Sequence, residues 1–380
     1  MGQGAEARRS SATLSEERRR PTRKAPPRRR MNVWNQYKFM RKLRIAVVGA
    51  GAIGGITAAY MAKAGFDVHL VCKHRQIAVL ASTTGLHITG VKGEVYIPVP
   101  AVARVDELNG LFDLCLIATK AYDMPECARE MLSYLKSESL VVSMQNGICT
   151  DALAAVVGQD RTVGCVIGWG ASMHGPGELE MTSTGEFLIG AVGNANREAL
   201  QTLRDALDTV TETKIVPDIY RELFSKLIVN SCITSLGAIC GLKLGEMMKR
   251  KQARKIFLAI IKEGMTVARA MKLHVPPFAG KLDYEKLMAG DGFLDHLRRH
   301  LTIRVVGLKY KNLKSSSLQS LERGRPTEID YFNGYIVEKG KQLGVACPVN
   351  ERLTQMVKEI EAGGRKIDPV NLYDKAFATL

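Results

Sequence analysis

The spacing of apolar positions along the chain changes character partway through. The run LRIAVVG at 43–49 is short, apolar and β-branched, and it ends in glycine. Residues 52–64 then read as a helix closed by Gly65, and DVHLVC at 67–72 reads as a second strand. Strand, glycine turn, helix and strand in such a short stretch predict a βαβ unit, which chain geometry makes parallel and right-handed. The alternation continues with a strand at 111–119, a helix at 124–135, strands at 140–145 and 162–168, and a hairpin-like stretch at 177–190 that closes the sheet. After about residue 195 helical periodicity takes over: Leu258, Ile261, Met265 and Ala268 share one face, as do Ile329, Phe332 and Ile336. The pattern predicts an α/β domain over 43–212, an all-α domain over 213–365 and a C-terminal tail at 366–380.

Residues 1–42 fit neither half. They hold 13 Lys and Arg against three Glu and have almost no apolar residues before Met31, so they are expected to form a disordered basic tail. No apolar core follows the basic run, which argues against a signal peptide. A solvated extension or an upstream translation start, with Met31 or Met40 as the better beginning, is preferred over a targeting segment or a nucleic-acid tether. The whole chain, 380 residues with 54 Lys and Arg against 38 Asp and Glu, has a net charge of +16. Most of that charge belongs to the tail, and the remainder suits anionic small ligands better than nucleic acid.

The eight cysteines show no C-x-x-C pairing and sit in apolar surroundings, as reduced cytoplasmic thiols do. No metal site is expected, because His296 and His300 lack an acidic companion. The longest apolar stretch, at 227–242, is interrupted by Asn230, Ser231, Thr234 and Ser235, so no membrane span is expected.

Gly49-Ala50-Gly51-Ala52-Ile53-Gly54 is a G-x-G-x-x-G loop in its proper context, with a strand before it and a helix after it. Gly49 permits the tight turn, Gly51 admits a pyrophosphate to the backbone, and Gly54 lets the helix pack on the strand. A carboxylate at the end of the second strand would hold the ribose hydroxyl of NAD; here Cys72-Lys73-His74-Arg75 stands instead. Lys73 and Arg75 would pair with a 2′-phosphate, which favours NADP(H).

In the helical half, Lys226, Asn230 and Thr234 recur at i, i+4 and i+8 on one stripe of an otherwise apolar helix, so Lys226 must face a partner or a wet cleft. A second cluster, Ser315-Ser316-Ser317-Leu318-Gln319-Ser320, precedes Arg325-Pro326-Thr327-Glu328. The Pro and Thr there mark a helix start and place Glu328 in its first turn.

Taken together, IAVVGAGAIGG at 45–55, ATKAYD at 118–123, QNG at 145–147, KLIVN at 226–230 and SLQ…GRPTEIDYFNG across 317–334 resemble the ketopantoate reductase (2-dehydropantoate 2-reductase) family, relatives of 6-phosphogluconate dehydrogenase. The resemblance implies a Rossmann domain followed by a helical domain of the 6-phosphogluconate dehydrogenase C-terminal type, with the active site between them. It implies NADPH-dependent reduction of ketopantoate to pantoate, a step toward pantothenate and coenzyme A. It also implies Lys226 as general acid, Glu328 beside the nicotinamide ribose and substrate hydroxyl, Asn230 and Ser316 on the substrate, and Lys120 and Asn146 at the cofactor, with Asn146 reaching the substrate too. Thr234 stands where the family usually has a second Asn, and Ser320 where it usually has Asp. Both departures bear on substrate shape, and a paralogous reductase of another branched 2-keto or hydroxy acid is the first alternative. A cofactor-binding regulator tethered to nucleic acid through residues 1–42 is the distant one. A homodimer is left open.

Overall fold

The computed structural model describes residues 43–380, so the expectations for residues 1–42 lie outside the described residues. An eight-stranded sheet forms the first half. Its strands are β1 (Arg44–Val48), β2 (Asp67–Val71), β5 (Ala101–Val102), β6 (Phe112–Ile117), β7 (Leu135–Ser143), β8 (Thr162–Ile167), β11 (Phe187–Ala191) and β12 (Thr213–Ile215), in the order β12-β11-β8-β7-β6-β1-β2-β5. Pairing from β5 through to β8 is parallel, β11 runs antiparallel to β8, and β12 is parallel to β11. The strand order reverses at β1, and in such sheets ligands bind outside the carboxyl ends of the strands at that point. Helices α1 (Ala52–Lys63), α2 (Arg75–Ser82), α3 (Met124–Met131), α4 (Thr150–Val157) and α5 (Arg197–Asp208) connect the strands. Ile45, Val47, Leu114, Leu116 and Val142 are fully buried between the layers, as continuous apolar runs in a parallel sheet require.

The structure corrects the sequence reading of 177–190. That stretch is not a hairpin: Gly177 turns β9 (Gly170–Gly175) into β10 (Glu178–Ser183), and β10 joins β3 (Leu86–Gly90) and β4 (Val95–Ile97) in a separate four-stranded sheet, order β4-β3-β10-β9. Only β11, at the end of the stretch, returns to the main sheet. Beyond 195, β12 still pairs with β11, so the sheet extends past the expected boundary at 213, and the helical part opens at Asp218.

Helix α6 (Ile219–Cys240) starts where the Asp218 carboxylate accepts the Tyr220 N–H at 3.0 Å and stops at Gly241, whose φ of +70° suits glycine. By length and composition it could cross a membrane, but 83% of its apolar window is buried inside this protein. The helical half also contains α7 (Leu244–Lys249), α8 (Lys251–Ala270), α9 (Tyr284–Met288), α10 (Phe293–Lys309), α11 (Ser316–Glu322), α12 (Asn333–Gln342) and α13 (Pro348–Glu361), of which α7, α8, α11 and α13 pack directly on α6. Residues 366–380 are not a tail. Phe377 and Leu372 are fully buried, and the Asn371 side-chain amide donates to the Ile239 carbonyl at 2.8 Å, so the C-terminal segment closes the end of α6.

One of the links between the two halves is a shared carboxylate. Asp151, in the first turn of α4, accepts from the Tyr220 hydroxyl at 2.7 Å and the Tyr335 hydroxyl at 3.3 Å, and its carboxylate pairs with Lys339 at 3.0 Å. Burial alone pushes this carboxyl upward, yet these three partners hold it below the usual range.

Candidate active site at the carboxyl edge of the sheet

The glycine loop is built by close contact. At Gly49, φ is +111°, and a Cβ there would stand 2.8 Å from the Ala118 carbonyl; at Gly54 a Cβ would stand 2.0 Å from the Gly49 oxygen. Ala50 is buried beneath the turn, and Ala52 and Ile53 begin α1. Gly51 differs, because a Cβ there would meet nothing within 4 Å. The start of α1 has no side-chain cap and no acidic residue in its first turn, so its free N–H groups face open space with the positive end of the helix dipole. That is a cradle for a pyrophosphate, and it fits a dinucleotide.

At the end of β2 the two predicted cations part. Lys73 is 80% exposed and lies 3.9 Å from the Asp123 carboxylate. Arg75, expected to share a phosphate with it, is drawn to Glu107 at 2.6 Å. Of the two, Lys73 is the less engaged.

Glu328 connects the halves at the loop after β6. One of its oxygens pairs with Lys120 at 2.8 Å and the other accepts the Ala121 N–H at 3.0 Å. Glu328 is not in the first turn of a helix as its sequence context suggested. It precedes a short 3-10 turn (Ile329–Tyr331), α12 begins only at Asn333, and the carboxylate is engaged by the sheet domain rather than by a helix end. The adjacent loop holds Asn146, exposed, and Gly147, whose φ of +85° lets it sit where a Cβ would be 2.4 Å from the Tyr331 oxygen. Gln145 fixes this edge: its amide donates to the carbonyls of Ile117 at 2.8 Å and Thr119 at 3.3 Å, and its oxygen accepts from Ser143 at 2.7 Å.

The stripe on α6 begins with a lysine at the edge of the sheet. The Lys226 ammonium donates to the Ile167 carbonyl at the end of β8, at 2.7 Å, and burial pushes its pKa down to about 8. The nearby Cys165 thiol is itself pushed up to about 12 by burial, so it is neutral and gives the ammonium no anionic partner. One turn on, Asn230 is partly buried. The Thr234 hydroxyl donates to the Asn230 backbone carbonyl at 2.7 Å rather than pointing its donor outward. Ser316 is exposed at the start of α11. Ser315 caps that helix by accepting the Leu318 N–H at 3.2 Å, and Ser317 is buried with its hydroxyl unpaired.

Glu328 with Lys120, Asn146, and Lys226 thus stand at the carboxyl ends of β6, β7 and β8, which are consecutive in the sheet and, at about 4.8 Å per strand, span little more than one small molecule; among the described residues no hydrogen bond or ion pair ties the side chains of Asn230, Thr234 or Ser316 to them. Sequence reasoning did not single out Gln145 or Asp151. Gln145 carries no signal of its own beyond the QNG motif, and an Asp in a first helical turn reads as an ordinary dipole partner.

A glycine loop at the switch point of a doubly wound sheet, closed by a helical domain that contributes a partly buried lysine, defines a two-domain oxidoreductase of the Rossmann type. The comparisons narrow this further. Residues 45–194 match the family model described as "Ketopantoate reductase PanE/ApbA", and residues 218–361 match "Ketopantoate reductase PanE/ApbA C terminal". The chain belongs to the ketopantoate reductase family. It is 28% identical over 325 residues to the 2-dehydropantoate 2-reductase of Archaeoglobus fulgidus, covering 85% of this chain and 100% of that one. It is likewise 28% identical to that of Pyrococcus abyssi, covering 84% and 98%. The fold superposes on the PanE/ApbA family ketopantoate reductase of Ralstonia eutropha JMP134 with a TM-score of 0.72 at 26% identity, over 85% of this chain and 99% of that one. It superposes equally well, at 24% identity, on a D-mandelate dehydrogenase solved with NADH and anilino(oxo)acetate, covering 84% and 99%.

Proposed function

We propose that this chain is an NADPH-dependent 2-dehydropantoate 2-reductase that reduces ketopantoate to pantoate, toward pantothenate and coenzyme A, in the cytoplasm. The observation that carries the reading is Lys226: an ammonium with a pKa lowered to about 8, held by one carbonyl at the carboxyl edge of the sheet, on the same helical stripe as Asn230 and Thr234.

In this reading residues 43–217 hold the cofactor and the helical part that follows holds the substrate. Gly49, Gly51 and Gly54 with the start of α1 take the pyrophosphate, and Lys73 takes a 2′-phosphate. When bound, the dihydronicotinamide supplies the hydride. Reduction of a ketone places negative charge on its oxygen, and Lys226 stabilises that charge and donates a proton to it, becoming a neutral amine that solvent reprotonates. Glu328 and Lys120 position the nicotinamide ribose, Asn146 lies between cofactor and substrate, and Asn230 and Ser316 orient the 2-keto acid.

A second reading, reduction of another branched 2-keto acid, is favoured by one feature. Thr234 spends its hydroxyl proton on its own helix, so it has no donor left for a ligand in this corner. The test follows NADPH and NADH oxidation in parallel with ketopantoate and a panel of branched and aromatic 2-keto acids. A folded, NADPH-binding protein without turnover of ketopantoate overturns the first reading. Turnover of another acid with a higher kcat/KM establishes the second.

A further inference from the structure

Asp151 stands where three pieces of the candidate site meet. It lies in the first turn of α4, five residues after Asn146, on the stretch of chain that leaves the carboxyl edge of the sheet. Its two oxygens face different helices. Oδ1 accepts from the Tyr220 hydroxyl of α6 at 2.7 Å, while Oδ2 accepts from the Tyr335 hydroxyl at 3.3 Å and pairs with the Lys339 ammonium at 3.0 Å, both of them on α12. Tyr220 precedes Lys226 by six residues, about 9 Å along the same helix, and Tyr335 follows Glu328 by seven. One carboxylate thus ties the Asn146 loop to the helix that carries Lys226 and to the segment that carries Glu328.

The packing around it is close but apolar. A Cβ on Gly164 of β8 would stand 2.7 Å from Ile219, 3.1 Å from the Thr150 methyl and 3.2 Å from Leu223, so the starts of α4 and α6 share one seat on the sheet. Ile148, in the loop between Asn146 and Asp151, is buried in the same core cluster as Ile219 and Leu223. Apolar contact is non-directional, whereas hydrogen bonds weaken steeply when bent, so the carboxylate fixes the rotation of α6 more sharply than its apolar seat does.

Lys226 depends on that rotation. Its ammonium has a single hydrogen bond, to the Ile167 carbonyl at 2.7 Å, and among the described residues no carboxylate lies within ion-pair distance to hold it. A reacting group displaced by about an ångström can lose on the order of a hundredfold in rate. The Asp151 and Lys339 side chains are 38% and 24% exposed, and an ion pair so open to water adds little stability. What donors from two helices add is direction.

We propose that Asp151 is a positioning residue: through Tyr220 it sets the rotation of α6, and with it the place of the Lys226 ammonium at the edge of the sheet. The role in reduction rests on the reading of Lys226 as the acid.

Two measurements on the full chain test this, one of them independent of turnover. Reductive methylation with formaldehyde and dimethylamine-borane, quantified at each lysine by peptide mass spectrometry, reads how firmly Lys226 is held at Ile167. Asp151→Ala is expected to raise the rate at Lys226 about fivefold or more, as local loosening does, and to leave that at Lys73, 80% exposed, unchanged. With the 2-keto acid that the unaltered protein reduces fastest, kcat is expected to fall about 10- to 100-fold in Asp151→Ala while the NADPH dissociation constant stays within about threefold, because the pyrophosphate cradle lies wholly in the sheet half. Tyr220→Phe, which removes one hydroxyl and keeps the ring, is expected to show both effects in smaller degree and to add nothing in the Asp151→Ala background. Unchanged methylation of Lys226 in folded Asp151→Ala, or in Tyr220→Phe should the first variant not fold, overturns the proposal whatever the protein reduces. A kcat within about twofold of the unaltered protein's, or NADPH binding that weakens in step with kcat, overturns it as well. If no 2-keto acid is reduced, the functional reading falls, and methylation alone decides whether Asp151 sets the place of Lys226.

Discussion

Lys120 and Glu328, far apart in sequence and in different halves of the fold, form an ion pair at 2.8 Å in which the carboxylate is 8% exposed and the ammonium 46%. The asymmetry matters energetically. Removing the lysine leaves a buried carboxylate with one backbone N–H, whereas removing the glutamate leaves a lysine that water can still reach. Lys120→Ala is therefore expected to cost more stability, roughly 2–3 kcal/mol, than Glu328→Ala, about 1–2 kcal/mol, after allowance for screening at the exposed lysine. Denaturant titration of both variants measures the order; equal losses would show that the pair is effectively solvated.

The glycines of the loop have separable duties. Gly54→Ala drives a methyl into the Gly49 carbonyl, so the variant is expected to be strongly destabilised or insoluble. Gly51→Ala meets no protein atom. It is expected to leave the melting temperature within about 2 °C of wild type, since a sub-kcal/mol change shifts a domain this size little, while weakening dinucleotide binding by at least tenfold. Calorimetric titration with NADPH alongside thermal melts distinguishes the two. A Gly51→Ala protein that binds normally would place the pyrophosphate elsewhere.

Cofactor choice is expected to rest on Lys73 more than on Arg75, because Arg75 is held by Glu107. Loss of one charge-assisted contact to a phosphate is worth about 1.5–3 kcal/mol. Lys73→Ala is thus expected to weaken NADPH by roughly ten- to a hundredfold and leave NADH unchanged, with a smaller effect for Arg75→Ala. Dissociation constants for both nucleotides with both variants decide it, and an equal loss for NADH would remove the 2′-phosphate from the account.

The alternating elements were legible because their signals are local. The run ending at Gly49, the helix closed before Gly65 and the strand at 67–71 each declare themselves by period and punctuation, and so does the stripe Lys226, Asn230, Thr234. The second sheet was not legible, since β3, β4 and β10 are short and partly exposed and come together only by long-range pairing, His87 with Glu178 for instance. The place of Glu328 was misread for a related reason. Pro326 and Thr327 do mark a boundary, but which partner takes the carboxylate was decided by Lys120 and Ala121, more than two hundred residues away, and no local pattern encodes that. The same holds for residues 366–380, whose few apolar side chains look like a tail until Phe377 is found inside the core.

Lys226 yields a prediction in which activity and stability move in opposite senses with pH. Its pKa is lowered by burial from 10.5 to about 8. The acid form required for proton donation is lost as pH rises through about 8, so kcat for keto-acid reduction is expected to fall about tenfold per pH unit above it. Lys226→Ala is expected to lose 10²- to 10⁴-fold in kcat at neutral pH, the usual worth of a positioned acid, while still binding cofactor. Stability runs the other way. A folded-state pKa below the unfolded one means that the charged lysine destabilises the fold, with the full penalty below about 8 and relief between there and 10.5. Relative to Lys226→Met, which cannot titrate, the wild-type melting temperature is expected to rise across that interval. A difference between the two proteins that stays flat from pH 7 to 10 would mean that Lys226 is hydrated in the resting protein, and its role as the acid would then need a pKa shift produced by the bound ligands.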